Sequence, residues 1–124
     1  METQEPNPRH SALEKAFKQL LSDLKPSFNI RPNLQSLLFL IGVQELGQIH
    51  REFSKEEKQD LMHLAVCRLL SQCGYFELES IDEEGWPHYR AIKTMPDEVK
   101  GLNPQENLLK EQILIYFGKT WQQS

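Results

Sequence analysis

The segment that follows Asn33 constrains this chain more than any other. From that N-capping residue to His50, no breaker stronger than Gly42 and Gly47 interrupts the sequence, and its middle is apolar on every face. A helix of this kind has no side to offer water, so it belongs at the centre of a fold with other elements around it. Glycine inside a helix costs about 1 kcal/mol relative to alanine. Two glycines in a central helix therefore predict a bend or the close approach of another backbone. The longest apolar run, Leu37 to Val43, is seven residues, far short of the roughly 20 that span a bilayer.

A central helix needs enough chain to cover it. The 124 residues suit one domain, and at this size roughly two-thirds of the unfolded surface can be buried without a metal or disulfide. With 39% hydrophobic and 26% charged residues, the composition is that of a soluble globular domain. Seven prolines, at 6, 8, 26, 32, 87, 96 and 104, mark the joints. Residues 1–10 read as a flexible start. Ser11 and Glu14 form a capping-box pattern, and Leu13, Phe17, Leu20, Leu21 and Leu24 recur at helical spacing, predicting a first helix over about 11–25. Pro26 and Pro32 bound a connector.

A third helix is expected from Ser54, capped reciprocally by Glu57, with Leu61, Met62, Ala65, Val66, Leu69, Leu70 and Cys73 on one broad face. Gly74 supplies a left-handed C-cap. The period then changes to two. Residues 75–81, a turn Asp82-Glu83-Glu84-Gly85, and Trp86 to about Lys93 read as a β-hairpin over about 75–94, with Ile81 and Trp86 flanking the turn. Asn103 as N-cap and Pro104 at the first helical position open a last helix over about 104–121, with Leu108, Leu109, Ile113, Tyr116, Phe117 and Trp121 as its buried stripe. The expected fold is α+β and predominantly helical: a three-helix core, a β-hairpin and a C-terminal helix in one domain over 11–124.

Charge narrows the partners. The net charge is −4, with 14 basic and 18 acidic residues, and Glu77, Glu79, Asp82, Glu83 and Glu84 crowd into the hairpin. The element order matches a winged-helix domain, which makes nucleic-acid binding an alternative reading. A wing that reads DNA should be basic, however, and this one carries only Arg90 as a fixed positive charge over 75–90. Neither nucleic acid nor a membrane is an expected partner. Cys67 and Cys73 point about 120° apart on one helix and should not pair; two free thiols and a start without an apolar run favour a reducing, cytoplasmic setting.

No nucleotide-binding, nucleophile-elbow, zincin or EF-hand motif is present, so no cofactor is implied and catalysis is disfavoured. Three local constellations stand out. Glu56, Asp60, His63 and Cys67 share one stripe of the third helix, within about 60° of one another, and are metal-capable donors. They equally describe a solvated face opposite the apolar one, and a small metal-dependent enzyme is the weaker reading. Trp86, His88 and Tyr89 beside Glu83 and Glu84 offer a partner-binding hairpin tip. There, Trp86→Ala is expected to weaken binding while changing thermal stability little. A general acid/base pairing of His88 with Glu77 or Glu79 would lack a nucleophile and an oxyanion hole. Finally, Gln44 and Glu45 interrupt the apolar helix; a buried Glu45 would need Arg51, Arg68 or Arg90.

At Phe39-Leu40-Ile41-Gly42-Val43-Gln44-Glu45-Leu46-Gly47 and Asp82-Glu83-Glu84-Gly85-Trp86-Pro87-His88-Tyr89, the chain resembles a small family of Bacteroidetes-type bacterial proteins that has no assigned activity. The resemblance covers most of residues 30–121 and implies a bacterial cytoplasmic setting. No functional residue carries over from it. The residues themselves favour a protein-interaction or accessory domain that presents an acidic, aromatic hairpin tip to a protein partner, with self-association as a homodimer through the fourth or the central helix.

Overall fold

In the computed structural model, which describes residues 8–25, 33–48, 52–96 and 102–118, the central helix is where the sequence places it. This is α2, Leu34–Leu46. The Asn33 side chain accepts from the Ser36 backbone N–H (2.8 Å), and the Ser36 hydroxyl caps the Asn33 N–H in return (2.7 Å). Leu37, Leu38, Ile41, Gly42, Val43 and Leu46 are buried. The helix ends four residues before His50, because Gly47 adopts a left-handed φ of 80° and donates to the Val43 carbonyl. Gly47 is thus a terminator. Gly42 is the close approach: a Cβ there would collide with the Leu61 carbonyl and lie 3.0 Å from Leu61 Cβ.

Leu61 belongs to α3, Lys55–Ser71, the helix on which α2 packs most extensively. Its start follows the expected capping box between Ser54 and Glu57. At its end, Gly74 (φ 87°) lets the Gly74 N–H reach the Ser71 carbonyl and the Tyr75 N–H reach Leu70, the paired bonds of a Schellman turn. The first helix, α1, spans Pro8–Leu24. It begins three residues ahead of the expected Ser11, so Glu14 is no cap and instead pairs with Lys110 (2.7 Å) on α4. The last helix, α4, spans Leu102–Tyr116 and takes Asn103 and Pro104 into its first turn. The expected Trp121 lies outside the described residues.

Among the described residues there are four helices and one hairpin, which packs chiefly on α3, and the order of three helices, hairpin and C-terminal helix is the expected α+β arrangement. One core cluster joins Leu13, Phe17 and Leu20 of α1 to Leu37 and Ile41 of α2, Ala65 and Leu69 of α3, and Ile113 and Leu114 of α4. Leu114 was not in the expected stripe. A second cluster, Val43, Leu46, Leu61 and Leu64, lies between α2 and α3 and receives Phe39, Phe53, Trp86 and Tyr89. No buried side-chain nitrogen or oxygen among the described residues lacks a hydrogen bond. Gln112, for example, accepts from Gln72 Nε2 at both its backbone and side-chain oxygens. No helix among the described residues is long and apolar enough to cross a membrane.

The hairpin consists of β1, Phe76–Ile81, and β2, Pro87–Ala91, paired antiparallel. Its register runs from Phe76 opposite Ala91 to Ile81 opposite Pro87, with an irregularity between Leu78 and Ser80. Trp86 therefore does not face Ile81. The extra residue in β1 shifts the alternation by one, and Trp86 becomes part of the loop closure, its carbonyl accepting from the Asp82 N–H (3.0 Å). Gly85 takes φ 90°, as its place in the turn requires.

A cleft between the third helix and the hairpin

Two constellations on different elements of the chain form one site. The hairpin packs on α3, and between them lies a cleft of about 520 Å³. From α3 it is lined by Glu57, Asp60, His63, Leu64 and Cys67. From the turn and β2 come Asp82, Glu84, Trp86, Pro87, His88 and Tyr89. The metal-capable stripe and the aromatic hairpin tip thus face each other. Of the residues singled out in the sequence, Glu56 and Glu83 are exposed and do not line the cleft.

Asp82 organises the hairpin side. Its Oδ1 accepts from the backbone N–H groups of Glu84 and Trp86, both at 2.9 Å, an Asx turn that fixes the loop. Its Oδ2 accepts from His88 Nε2 at 2.8 Å. The bond from His88, then those from the Trp86 and Glu84 amides, hold the Asp82 carboxyl below the usual aspartate range. His88 is therefore paired with Asp82, not with Glu77 or Glu79; Glu77 forms an ion pair with Arg90 across the strands. The turn is also tied to α2, since Gln48 Nε2 donates to the Glu84 carbonyl (3.1 Å).

On α3, Cys67 corrects the expected solvated stripe. It is 4% exposed, and its sulfur lies 3.6 Å from His63 Nε2. Burial pushes the thiol pKa up, which favours the neutral form over the thiolate that binds metal or attacks carbon. Asp60 and His63 are exposed on the same helix. No three His, Cys, Asp or Glu side chains among the described residues are grouped to hold a metal ion. Cys73 is half-buried, and both cysteines are free.

Trp86 is half-buried, with its ring against the Val43, Leu46, Leu61 and Leu64 cluster. It serves the core and the cleft at once, so the packing leads to an expected loss of stability in Trp86→Ala where the sequence alone led to the expectation of little change. Tyr89 packs against the same cluster, its phenol pKa raised by burial and then by Glu45. Glu45 is half-buried and resolves the question posed by the polar patch on α2. Its partners are Tyr116, whose hydroxyl donates to it (2.7 Å), and Arg68 (3.4 Å). The Arg68 guanidinium also sits 5.4 Å from the Tyr116 ring centroid.

Asp82 and Glu57 line the cleft although their sequence positions point only to a turn and a helix cap. An Asp three residues before a turn glycine, with amides two and four residues on as its acceptable donors, is the signal that could have found the first. Comparison with known protein families, curated proteins and solved structures finds no match to this chain.

Proposed function

We propose that this chain is a protein-interaction domain whose docking site is the cleft between α3 and the hairpin. The observation that carries the reading is the cleft's lining: half-buried aromatic residues, four carboxylates, two imidazoles and no lysine or arginine. A concave, partly apolar surface with a charged rim is the anatomy of a partner site. Its sign repels phosphate, which argues against a nucleic-acid role for the hairpin. The absence of grouped metal donors among the described residues, together with a thiol held neutral, gives the metal-enzyme alternative no support. A bacterial cytoplasmic setting, drawn from the resemblance and the free thiols, belongs to the same proposal.

A photo-crosslinking residue tests it. Placed at His88, whose side chain is 53% exposed at the cleft, it is expected to capture a discrete partner in cells; placed at exposed Gln19 on α1, it is not. Identical products from both positions, or none from position 88, would remove the cleft as the docking site.

A further inference from the structure

The cleft's charges are not all committed. Glu57 accepts from the Ser54 N–H through its capping bond, and Asp82 is held by His88 and two amides. Asp60 on α3 and Glu84 on the turn have no side-chain partner among the described residues, and they approach the cleft from its two different walls. The Trp86 and Tyr89 rings lie along the same cleft. No lysine or arginine of the lining neutralises the two carboxylates.

Exposed carboxylates alone hold a cation weakly, so the shape of the lining decides which cation fits. A small ion needs three or more converging donors, and the described residues group none. A planar guanidinium differs: it has five N–H donors spread over a fork, stacks on an aromatic face, and can bridge acceptors that do not converge. Trp is the strongest aromatic partner for such a cation. A lysine ammonium is a compact, strongly hydrated point charge and uses this geometry less well.

We infer that the cleft recognises an arginine side chain presented by an extended segment of the partner protein, with Trp86 stacking on the guanidinium and Asp60 and Glu84 accepting from it. This rests on the docking reading above and names the chemistry of the occupant.

The test uses the full chain labelled with ¹⁵N, in a Trp121→Phe background so that the only indole N–H signal is that of Trp86. It is titrated with the capped peptides Ala-Ala-Arg-Ala-Ala, its neutral citrulline counterpart, its lysine counterpart and its glutamate counterpart. The arginine peptide is expected to shift the Trp86 indole and the amides of Asp60 and Glu84 saturably, more weakly as salt rises. The lysine peptide should bind severalfold more weakly, and the citrulline and glutamate peptides at least about tenfold more weakly, since the charge is what the two free carboxylates read. Asp60→Asn and Glu84→Gln alter exposed side chains, preserve the fold, and should each weaken the arginine peptide by roughly two- to fivefold.

Citrulline binding within twofold of arginine would overturn the inference and leave the cleft as a docking site of other chemistry. Saturation confined to residues away from the cleft, or no shift with any peptide, would also overturn it. The crosslinking at position 88 would then decide the docking reading by itself.

Discussion

The crossing of α2 and α3 and the cleft between α3 and the hairpin share one helix but are built on opposite terms. At the crossing, Gly42 lets the α2 backbone sit directly on the Leu61 carbonyl, and the neighbouring side chains are apolar and buried. At the cleft, aromatic side chains stay half-buried, and the turn is held by Asp82, His88 and Gln48 through polar contacts at the surface. One face of α3 is used for stability; the face carrying Asp60 and His63 keeps groups in water that contribute little to it. The contrast shows where each region is sensitive. The crossing should fail by overpacking, and the cleft by losing recognition before it loses structure.

The largest effect is expected at Gly42→Ala. On helix propensity alone this change would stabilise by about 1 kcal/mol, so the sign of the result is diagnostic. The added methyl meets backbone, which cannot swing aside as a side chain can. A net loss of roughly 3 kcal/mol or more is expected in chemical denaturation, the upper range for overpacking. A neutral or stabilised variant would mean that α2 and α3 are not in this contact, and the contrast between the two regions would collapse.

Trp86→Ala comes next, since it touches both regions. A fully buried tryptophan costs about 3–5 kcal/mol on truncation; Trp86 is half-buried against Val43, Leu46, Leu61 and Leu64, so about 2 kcal/mol is expected. The variant should remain folded, with a lower denaturation midpoint and an unchanged slope. An unchanged midpoint would detach the ring from the core and return it to the purely exposed role that its place near the hairpin tip suggested. For this reason truncating Trp86 is a poor test of binding, and substitutions at Asp60 and Glu84 are better ones.

How far the sequence reached follows the range of each interaction. Asn33 and Ser54 were legible as helix starts because a cap is a matter of three or four adjacent residues. The period-two segment and the turn glycine were legible for the same reason. Gly42 and Gly47 were not distinguishable from each other: both are glycines in one apolar stretch, and only the presence of α3 against the first makes it a packing contact and leaves the second free to terminate. Leu64 and Cys67 were missed as core because α3 is covered on two sides, by the other helices and by a hairpin that arrives later in the chain. The same long-range packing hid the cleft. Its aromatic half and its carboxylate half were each visible on one element, and their juxtaposition was not. The pairing of His88 with Asp82 escaped because the irregularity in β1 shifts the register that a regular hairpin would have.

The smallest effect is expected in the acid titration of the turn, and it separates the two regions without touching the core. Asp82 has a lowered pKa in the folded chain, first through His88 and then through the Trp86 and Glu84 amides. A carboxylate whose folded pKa lies below its unfolded value of about 3.9 stabilises the fold above that value, and the contribution disappears as the pH falls through the depressed folded pKa. Between neutral pH and about 5 the Asp82 carboxylate therefore stays ionised and its own contribution should be constant. Below about 4 the Trp86 and Glu84 amide resonances should move together with the Asp82 carboxyl carbon, with a midpoint below the unfolded aspartate value of about 3.9. In Asp82→Asn those amide signals should no longer follow that transition, and the helices should be unaltered in both proteins. An Asp82 midpoint at the unfolded value of about 3.9 would show that the Asx turn and the His88 bond do not hold the loop in solution. The wall that carries Glu84 and Trp86 would then be loosely placed and the cleft would not be preformed, whereas the Gly42 crossing would stand as it is.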